Sequence, residues 1–380
     1  MTDPIAFLDL PKQQARLKDA IERRVKTVFE HCRFVMGPEV EELERRLAEF
    51  GGAKYAIGVS SGTDALLMVL MGEEVGPGDA VFLPAFTYTA TAEVVLLLGA
   101  TPVFVDVEPD TFQISMSSLA DRLAAIRAAG ELEPRAVIGV DLFGQPAPWD
   151  ELKTFAAQEE LTLIADCAQS FGASYHGRRL GHEARATTLS FFPSKPLGGY
   201  GDGGAILTDD AELAALYRSL RTHGEGKTRY EVERIGINGR LDTIQAAVLI
   251  AKLEAFEDEL KRRDIIAREY DAAMPAGIQA PVRVADSESA WAIYTVLLPD
   301  AAARDSLQAH LKEAGVPTAI YYPKPLHHQP AYSEHHDGVS LPVSESLGAR
   351  VLALPIHPEL TDDEVSRITD ALKSWAGENA

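Results

Sequence analysis

The sequence is poor in cysteine and contains no long apolar run. Its 380 residues include two cysteines, Cys32 and Cys167, so at most one disulfide can form, and a zinc site of several thiolates is excluded. The longest apolar runs, Leu66 to Met71 and Val94 to Leu98, are far shorter than the ~20 residues that a membrane helix needs. We therefore expect neither a disulfide-stabilised scaffold nor a membrane protein.

Positive charge is also in deficit. The chain has 36 Lys and Arg against 57 Asp and Glu, a net charge of −21, which disfavours binding to a nucleic acid backbone. Asp3, Pro4 and Asp9 interrupt the N-terminal segment, so no targeting signal is predicted there and a cytoplasmic location is expected. With 46% apolar residues and ordinary Gly and Pro contents, the composition indicates a compact globular protein.

Short apolar segments rich in β-branched residues alternate with segments of helical periodicity through the first two thirds of the chain. This alternation is typical of an α/β fold around a mostly parallel sheet. Seven strands are predicted, near Tyr55–Val59, Ala80–Leu83, Val103–Val107, Ala136–Asp141, Leu161–Ala165, Thr187–Phe191 and Ala205–Thr208.

The remainder of the chain has a different pattern. One long helix is predicted from Asp242 through Leu260, because its apolar residues recur at intervals of three and four. A strand at Trp291–Leu298, a helix at Ala302–Ala314 and a last helix from Thr361 follow. We predict a large domain at 1–250, whose N-terminal segment can pack on the other domain, and a smaller α+β domain at 251–380.

Three segments in the first part of the chain carry the chemistry. Asp166 stands at the end of a predicted strand, and Lys195 lies in a turn beside Pro and Gly. Such a pair suits pyridoxal phosphate (PLP), since the lysine can form the Schiff base and the acid can keep the pyridine nitrogen protonated. Alone, Asp166 would be an ordinary helix cap and Lys195 a solvated lysine. The Ser-Gly-Thr turn at Ser61–Thr63 opens a helix, where backbone N–H groups can bind a phosphate.

Ordered motifs extend over nearly the whole chain and resemble those of the DegT/DnrJ/StrS-type nucleotide-sugar aminotransferases. That family has the fold type I of PLP enzymes, which is aspartate aminotransferase-like. The matching stretches are Phe7–Leu10, Gly37–Glu44, Ser61–Leu66, Gly76–Asp79, Pro84–Thr91, Leu163–Gly172, Thr188–Gly198, Gly201–Gly204, Asn238–Ala247 and Leu354–Pro358.

The resemblance implies a role for individual residues. Lys195 and Asp166 would be the catalytic pair, with Lys195 joined to the cofactor as a Schiff base. Homodimers with shared active sites are implied as well, because Asn238 matches a residue that reaches the phosphate of the neighbouring subunit. The other implied cofactor contacts are Gly62, Thr63 and Ser190 at the phosphate, Tyr88 over the ring and Gln169 on its phenolate side.

Within the family, several stretches resemble enzymes that aminate the C3 ketone of UDP-2-acetamido-2-deoxy-3-oxo-glucuronate, with glutamate as the expected donor. This resemblance implies a role in surface polysaccharide or O-antigen sugar biosynthesis. Arg240 would then bind the sugar carboxylate, because a guanidinium can bind it in bidentate fashion. Tyr321 and Tyr322 are also predicted to contact the substrate. Tyr321 replaces the His of a His-Tyr-Pro stretch in those enzymes, so a different sugar pocket is expected there.

Several other functions remain open. The main alternative is a 4-keto-6-deoxy nucleotide-sugar aminotransferase; a PLP-fold sugar dehydratase using pyridoxamine phosphate (PMP) and a noncatalytic regulator are also considered. Gly199–Gly204 matches a dinucleotide-binding motif, but it precedes a predicted strand and opens no helix. His327, His328, His335 and His336 raise the question of a metal, yet no recognised zinc spacing accompanies them, so no metal site is predicted.

Overall fold

The computed structural model describes residues 4–228 and 230–378, and helices make up a large part of both ranges. The α-helices are α1 Leu10–His31, α2 Pro38–Gly51, α3 Gly62–Gly72, α4 Ala90–Leu97, α5 Met116–Ala129, α6 Trp149–Gln158, α7 Ala211–Leu220, α8 Thr243–Leu253, α9 Phe256–Ala273, α10 Ala301–Glu313, α11 Pro342–Arg350 and α12 Asp362–Glu378. The strands are β1 Tyr55–Val59, β2 Asp79–Pro84, β3 Thr101–Val105, β4 Glu133–Val140, β5 Thr162–Asp166, β6 Ser174–Tyr175, β7 Arg178–Arg179, β8 Ala186–Ser190, β9 Gly204–Thr208, β10 Ser287–Glu288, β11 Tyr294–Leu297 and β12 Val351–Leu354.

A seven-stranded sheet forms the centre of the fold. Its strand order is β1-β9-β8-β5-β4-β2-β3, and each of the seven strands predicted from the sequence is present in it. Strand β9 runs antiparallel to both of its neighbours, whereas the pairs β2–β3, β2–β4, β4–β5 and β5–β8 are parallel. The prediction of an α/β fold with a mostly parallel sheet of seven strands is therefore confirmed.

Both faces of this sheet are buried. Along β2, Phe82 belongs to one apolar cluster, while its neighbours Val81 and Leu83 belong to a second cluster on the opposite face. All three side chains are 0% exposed. Helices cover parallel sheets on both faces, which explains why these strands are apolar along their whole length instead of alternating with polar residues.

The long helix predicted from Asp242 to Leu260 is wrong in one respect, because the chain forms two helices there. Helix α8 ends at Leu253 and α9 begins at Phe256. At the junction the Ala255 N–H donates to the Lys252 carbonyl, three residues back rather than four. The Phe256 ring stacks on Phe171 with 5.8 Å between ring centroids. The helix therefore breaks where Phe256 packs on the loop that follows β5, although the apolar spacing continues through the junction.

The C-terminal part of the chain has its own apolar cluster. Strands β11 and β12 pair antiparallel, and α9, α10 and α12 pack beside them. Ile5, from the N-terminal segment, is buried in the same cluster. The strand predicted at Trp291–Leu298 is shorter than expected, Tyr294–Leu297. The predicted boundary after residue 250 falls within α8, and the division into two domains stays a prediction.

A helix that crosses a bilayer must be long enough to span it and apolar along that length. Within residues 4–228 and 230–378, no helix combines the two.

Candidate active site

A cavity of about 480 Å³ opens at the carboxyl ends of the parallel strands. Open α/β sheets commonly bind ligands at this edge, because the loops that follow the strands converge there. Asp166 is the last residue of β5, Ser190 is the last residue of β8, and α3 begins just after β1. Most of the residues predicted for the site line this cavity: Gly62, Thr63, Tyr88, Asp166, Gln169, Ser190, Lys195, Tyr321 and Tyr322.

Asp166 is buried at the floor of the cavity, with 5% of its surface exposed. Its Oδ2 accepts a hydrogen bond from Thr91 Oγ1 at 3.0 Å, and its Oδ1 accepts one from the Ala168 N–H at 3.2 Å. Burial raises the pKa of Asp166, while the two hydrogen bonds and the charge of Lys195 act in the opposite direction. The carboxyl is therefore fixed in orientation and set close to a cation.

Lys195 follows β8 in a turn and is half-buried in the cavity wall. Burial lowers the pKa of its ammonium group, and the nearby Asp166 carboxylate opposes that change. No hydrogen bond joins Lys195 Nζ to another residue of the described ranges. An amine with a lowered pKa and no competing partner is suited to covalent and proton-transfer chemistry.

The N-terminus of α3 forms an anion cradle beside Ser190. The Ser61 side chain caps the helix by accepting from the Asp64 N–H at 3.0 Å, and no acceptor within the described residues is found for the N–H groups of Gly62 and Thr63. A Cβ at position 62 would come within 2.8 Å of the Ser190 Cβ, so only glycine fits there. Free N–H groups at a helix N-terminus bind phosphate well.

Tyrosine rings and an amide surround the mouth of the cavity. The Tyr88 side chain is 54% exposed, and its ring centroid lies 6.4 Å from that of Tyr322. Gln169 Nε2 donates to the Tyr322 hydroxyl at 3.2 Å, and Gln169 Oε1 accepts from the Phe143 N–H at 2.7 Å. Burial raises the pKa of Tyr322, so its hydroxyl is protonated near neutral pH. Tyr321 packs edge-on to Tyr322 at 5.9 Å.

Asn238 and Arg240 are the two predicted site residues that do not line this cavity. The Arg240 guanidinium donates to Asn238 Oδ1 at 2.6 Å, and Asn238 is exposed. Their segment nevertheless runs along the end of β1, where the Ser60 N–H donates to the Gly239 carbonyl at 3.0 Å. Within a single chain they lie beside the α3 cradle rather than in the cavity.

Three further residues escaped prediction from the sequence. Thr91 is fully buried on α4 and holds Asp166; it lies inside a matched motif, but nothing in its spacing links it to an acid 75 positions away. Lys252 is buried on α8, and its Nζ donates to the Gly198 carbonyl at 2.7 Å, which fixes the turn that carries Lys195. Arg263, also buried, lines the cavity from α9 and donates to two backbone carbonyls.

These residues fit PLP. The N-terminus of α3 can bind a phosphate, and a side chain at position 62 would fill the space beside Ser190. Asp166 can pair with a protonated ring nitrogen, and Lys195 offers a free amine. The 480 Å³ cavity lies within the size range of small-molecule sites.

Comparison with known proteins agrees with this geometry. A family model described as "DegT/DnrJ/EryC1/StrS aminotransferase family" matches residues 15–373. The chain belongs to this family. Its enzymes use PLP, so the chain is a PLP-dependent aminotransferase, and the resemblance read from the sequence motifs is confirmed. The expectation that Gly199–Gly204 is not a dinucleotide motif agrees with the fold, because that segment leads into β9 and not into a helix.

Individual relatives cover almost the full length. The chain is 47% identical over 369 residues to UDP-2-acetamido-2-deoxy-3-oxo-D-glucuronate aminotransferase of Pseudomonas aeruginosa, covering 97% of this chain and 99% of the relative. The structure of a DegT/DnrJ/EryC1/StrS aminotransferase from Brucella abortus superposes with a TM-score of 0.95 at 45% identity, covering 98% and 100% of the two chains. A sugar aminotransferase from Streptococcus pneumoniae described as putative, solved in its PMP form, gives a TM-score of 0.86 at 25% identity, with 95% and 96% covered.

Proposed function

We propose that this aminotransferase acts on a keto nucleotide sugar, namely the C3 ketone of UDP-2-acetamido-2-deoxy-3-oxo-glucuronate, with L-glutamate as amino donor. The observation that carries the proposal is the 47% identity over 97% of the chain to the Pseudomonas aeruginosa enzyme, whose name specifies that substrate. The proposal places the reaction in the cytoplasm, in the supply of an amino sugar for a surface polysaccharide such as the O-antigen of lipopolysaccharide.

We assign the catalytic roles to the two charged groups at the cavity floor. When bound, PLP supplies a carbonyl carbon that receives the amino group and a ring that takes up electron density. With PLP held in the cavity, Lys195 Nζ would serve as the base and acid that moves a proton between the substrate carbon and the cofactor carbon. Its lowered pKa increases the fraction of neutral amine that can accept this proton. Asp166 keeps a proton on the ring nitrogen, because Thr91 and Ala168 hold its carboxylate in place.

The active enzyme is proposed to be a homodimer with shared sites. Asn238 and Arg240 lie outside the cavity of their own chain, yet they stand next to the α3 cradle on an exposed segment. A second copy packed there could receive Asn238 at its phosphate cradle and Arg240 near its sugar site. Exposed apolar side chains at Phe34, Val35 and Ile235 supply surface for such an interface.

The substrate proposal is tested by measuring glutamate-dependent amination across a panel of 3-keto and 4-keto nucleotide sugars. The 3-oxo-glucuronate is expected to give the highest kcat/KM. Higher kcat/KM with a 4-keto-6-deoxy sugar would establish the alternative substrate class instead. A product dehydrated rather than aminated would favour the dehydratase.

Arg240→Ala tests how the sugar carboxylate is recognised. Removing the partner of a desolvated carboxylate should cost about 2–5 kcal/mol in kcat/KM for the uronate. The loss should be much smaller for the same sugar with a neutral C6 group. Arg45→Ala, which removes an exposed arginine paired with Glu49, is the charge-matched control and should leave both values unchanged. Equal losses for the two sugars would show that Arg240 does not bind the carboxylate.

A further inference from the structure

A buried histidine without hydrogen bonds lies in the loop between the cavity and α11. The His327 side chain is 2% exposed, and neither of its ring nitrogens has a hydrogen-bond partner within the described part of the chain. An imidazole buried without such partners loses its interactions with water and gains none in return. A ligand bound by one of these nitrogens would offset part of this cost.

Two other ligand-bearing side chains face this imidazole. One nitrogen of His327, one nitrogen of His328 and one carboxylate oxygen of Glu345 all lie within 4.8 Å of one another. His327 Nε2 is 3.5 Å from Glu345 Oε1, which is too long for a good hydrogen bond but close for two ligands of one ion. In a tetrahedral site with ligands 2.0–2.1 Å from the ion, the ligand atoms are about 3.3 Å apart.

The cluster can contract to that size because its members differ in freedom. Glu345 is anchored at the start of α11, where its Oε1 accepts from the Leu341 N–H at 2.7 Å. His327 is fixed by burial, with the Phe104 ring centroid 6.1 Å away. His328 is exposed, so its ring can turn toward the other two without disturbing the core.

We propose that His327, His328 and Glu345 bind one divalent transition-metal ion of borderline softness, such as Zn²⁺ or Co²⁺. Two imidazoles and one carboxylate suit such ions, and a water molecule would complete the tetrahedron. Hard ions such as Mg²⁺ prefer oxygen ligands and are not expected to bind.

Bound metal would join the loop to α11. The same loop contacts the segment that carries the cavity-lining Tyr88, since the Leu326 N–H donates to the Ala85 carbonyl at 2.7 Å and the Tyr332 hydroxyl hydrogen-bonds to Thr89. The ion is therefore structural: it holds a segment that follows Tyr322 without entering the reaction. Unfolding should become harder when it binds, because only the folded chain brings the three ligands together.

The test is a Co²⁺ titration of the untagged holoenzyme, followed by its visible d–d absorption. A band that saturates at one Co²⁺ per chain, is displaced by Zn²⁺ and is unaffected by Mg²⁺ is the expected result. Zn²⁺ should also raise the melting temperature. Absence of a saturating band, or saturation at several ions per chain, would overturn the proposal.

Three variants separate this site from general binding by a histidine-rich loop. His328→Gln and Glu345→Gln should each weaken Co²⁺ binding by at least about tenfold, as expected for the loss of a ligand. His335→Gln is the matched control, because His335 is exposed in the same loop and lies outside the cluster. It should bind Co²⁺ as tightly as the unchanged enzyme. Equal weakening in His335→Gln, or none in His328→Gln, would refute the assignment.

Discussion

The hydrogen bond from Thr91 to Asp166 makes a sharp prediction for catalysis. Thr91→Val keeps the shape of the side chain and removes its hydroxyl, which donates to Asp166 Oδ2 at 3.0 Å between two buried groups. A hydrogen bond to a charged group contributes about 1.5–3 kcal/mol. Its loss should raise the pKa of Asp166 further, because this hydrogen bond favours the ionised carboxylate. If the reaction requires the ionised carboxylate, kcat/KM should fall by up to about 10- to 100-fold at the pH values where this carboxyl is protonated in the variant but still ionised in the unchanged enzyme.

The assay is the pH dependence of the half-reaction with glutamate, followed by the change in cofactor absorbance. In Thr91→Val the acidic limb of the kcat/KM profile should move to higher pH. Thr187→Val is the matched control, because Thr187 is also fully buried but its hydroxyl has no hydrogen-bond partner among the residues described. That variant should keep the rate and the profile. An unchanged profile in Thr91→Val, or an equal loss in Thr187→Val, would refute the role given to this hydrogen bond.

Further predictions concern stability and assembly. Burial raises the pKa of Asp141 from 3.8 to about 6, so the native state holds a proton that the unfolded chain releases. The free energy of unfolding should therefore fall by about 2 kcal/mol as pH rises from 4 to 6. In Asp141→Asn, the free energy of unfolding measured by chemical denaturation should depend less on pH between 4 and 6. An unchanged pH dependence would contradict this prediction. Lys252→Met should lower kcat, because it removes the hydrogen bond to the Gly198 carbonyl in the turn that carries Lys195. An unchanged kcat would show that this hydrogen bond is not needed to position the turn. Hybrid dimers of Lys195→Ala and Asn238→Ala chains should regain some activity, because one of their two sites keeps both residues. If subunit exchange is demonstrated and no activity returns, the sites are not shared.

The sequence predicts most accurately what depends on local pattern. The seven central strands are continuous apolar segments bounded by polar turns, and each is found where it was expected. The break between α8 and α9 could not be predicted in this way, because the apolar spacing continues through it. At the break Phe256 packs on Phe171, which belongs to a segment far away in the chain.

The same limit applies to the site. Asp166 and Lys195 were found because acid and lysine stand out in apolar or Gly-rich surroundings, and both line the cavity. Thr91 and Lys252 were missed, since a threonine in a helix or a lysine in an amphipathic segment has no distinctive neighbours. Their partners are a side chain on β5 and a backbone carbonyl, and only the folded chain brings them together.

The strand order has a consequence for how the chain folds during synthesis. Strand β1 lies at the edge of the sheet and pairs with β9 alone, and the residues joined in that pair are about 150 positions apart. Ile57 and Val59, both fully buried in the finished sheet, have no partner strand until β9 has left the ribosome. Nascent chains that end before Gly204 should therefore expose this apolar strand, depend on chaperones and aggregate readily, because non-local strand pairing comes late.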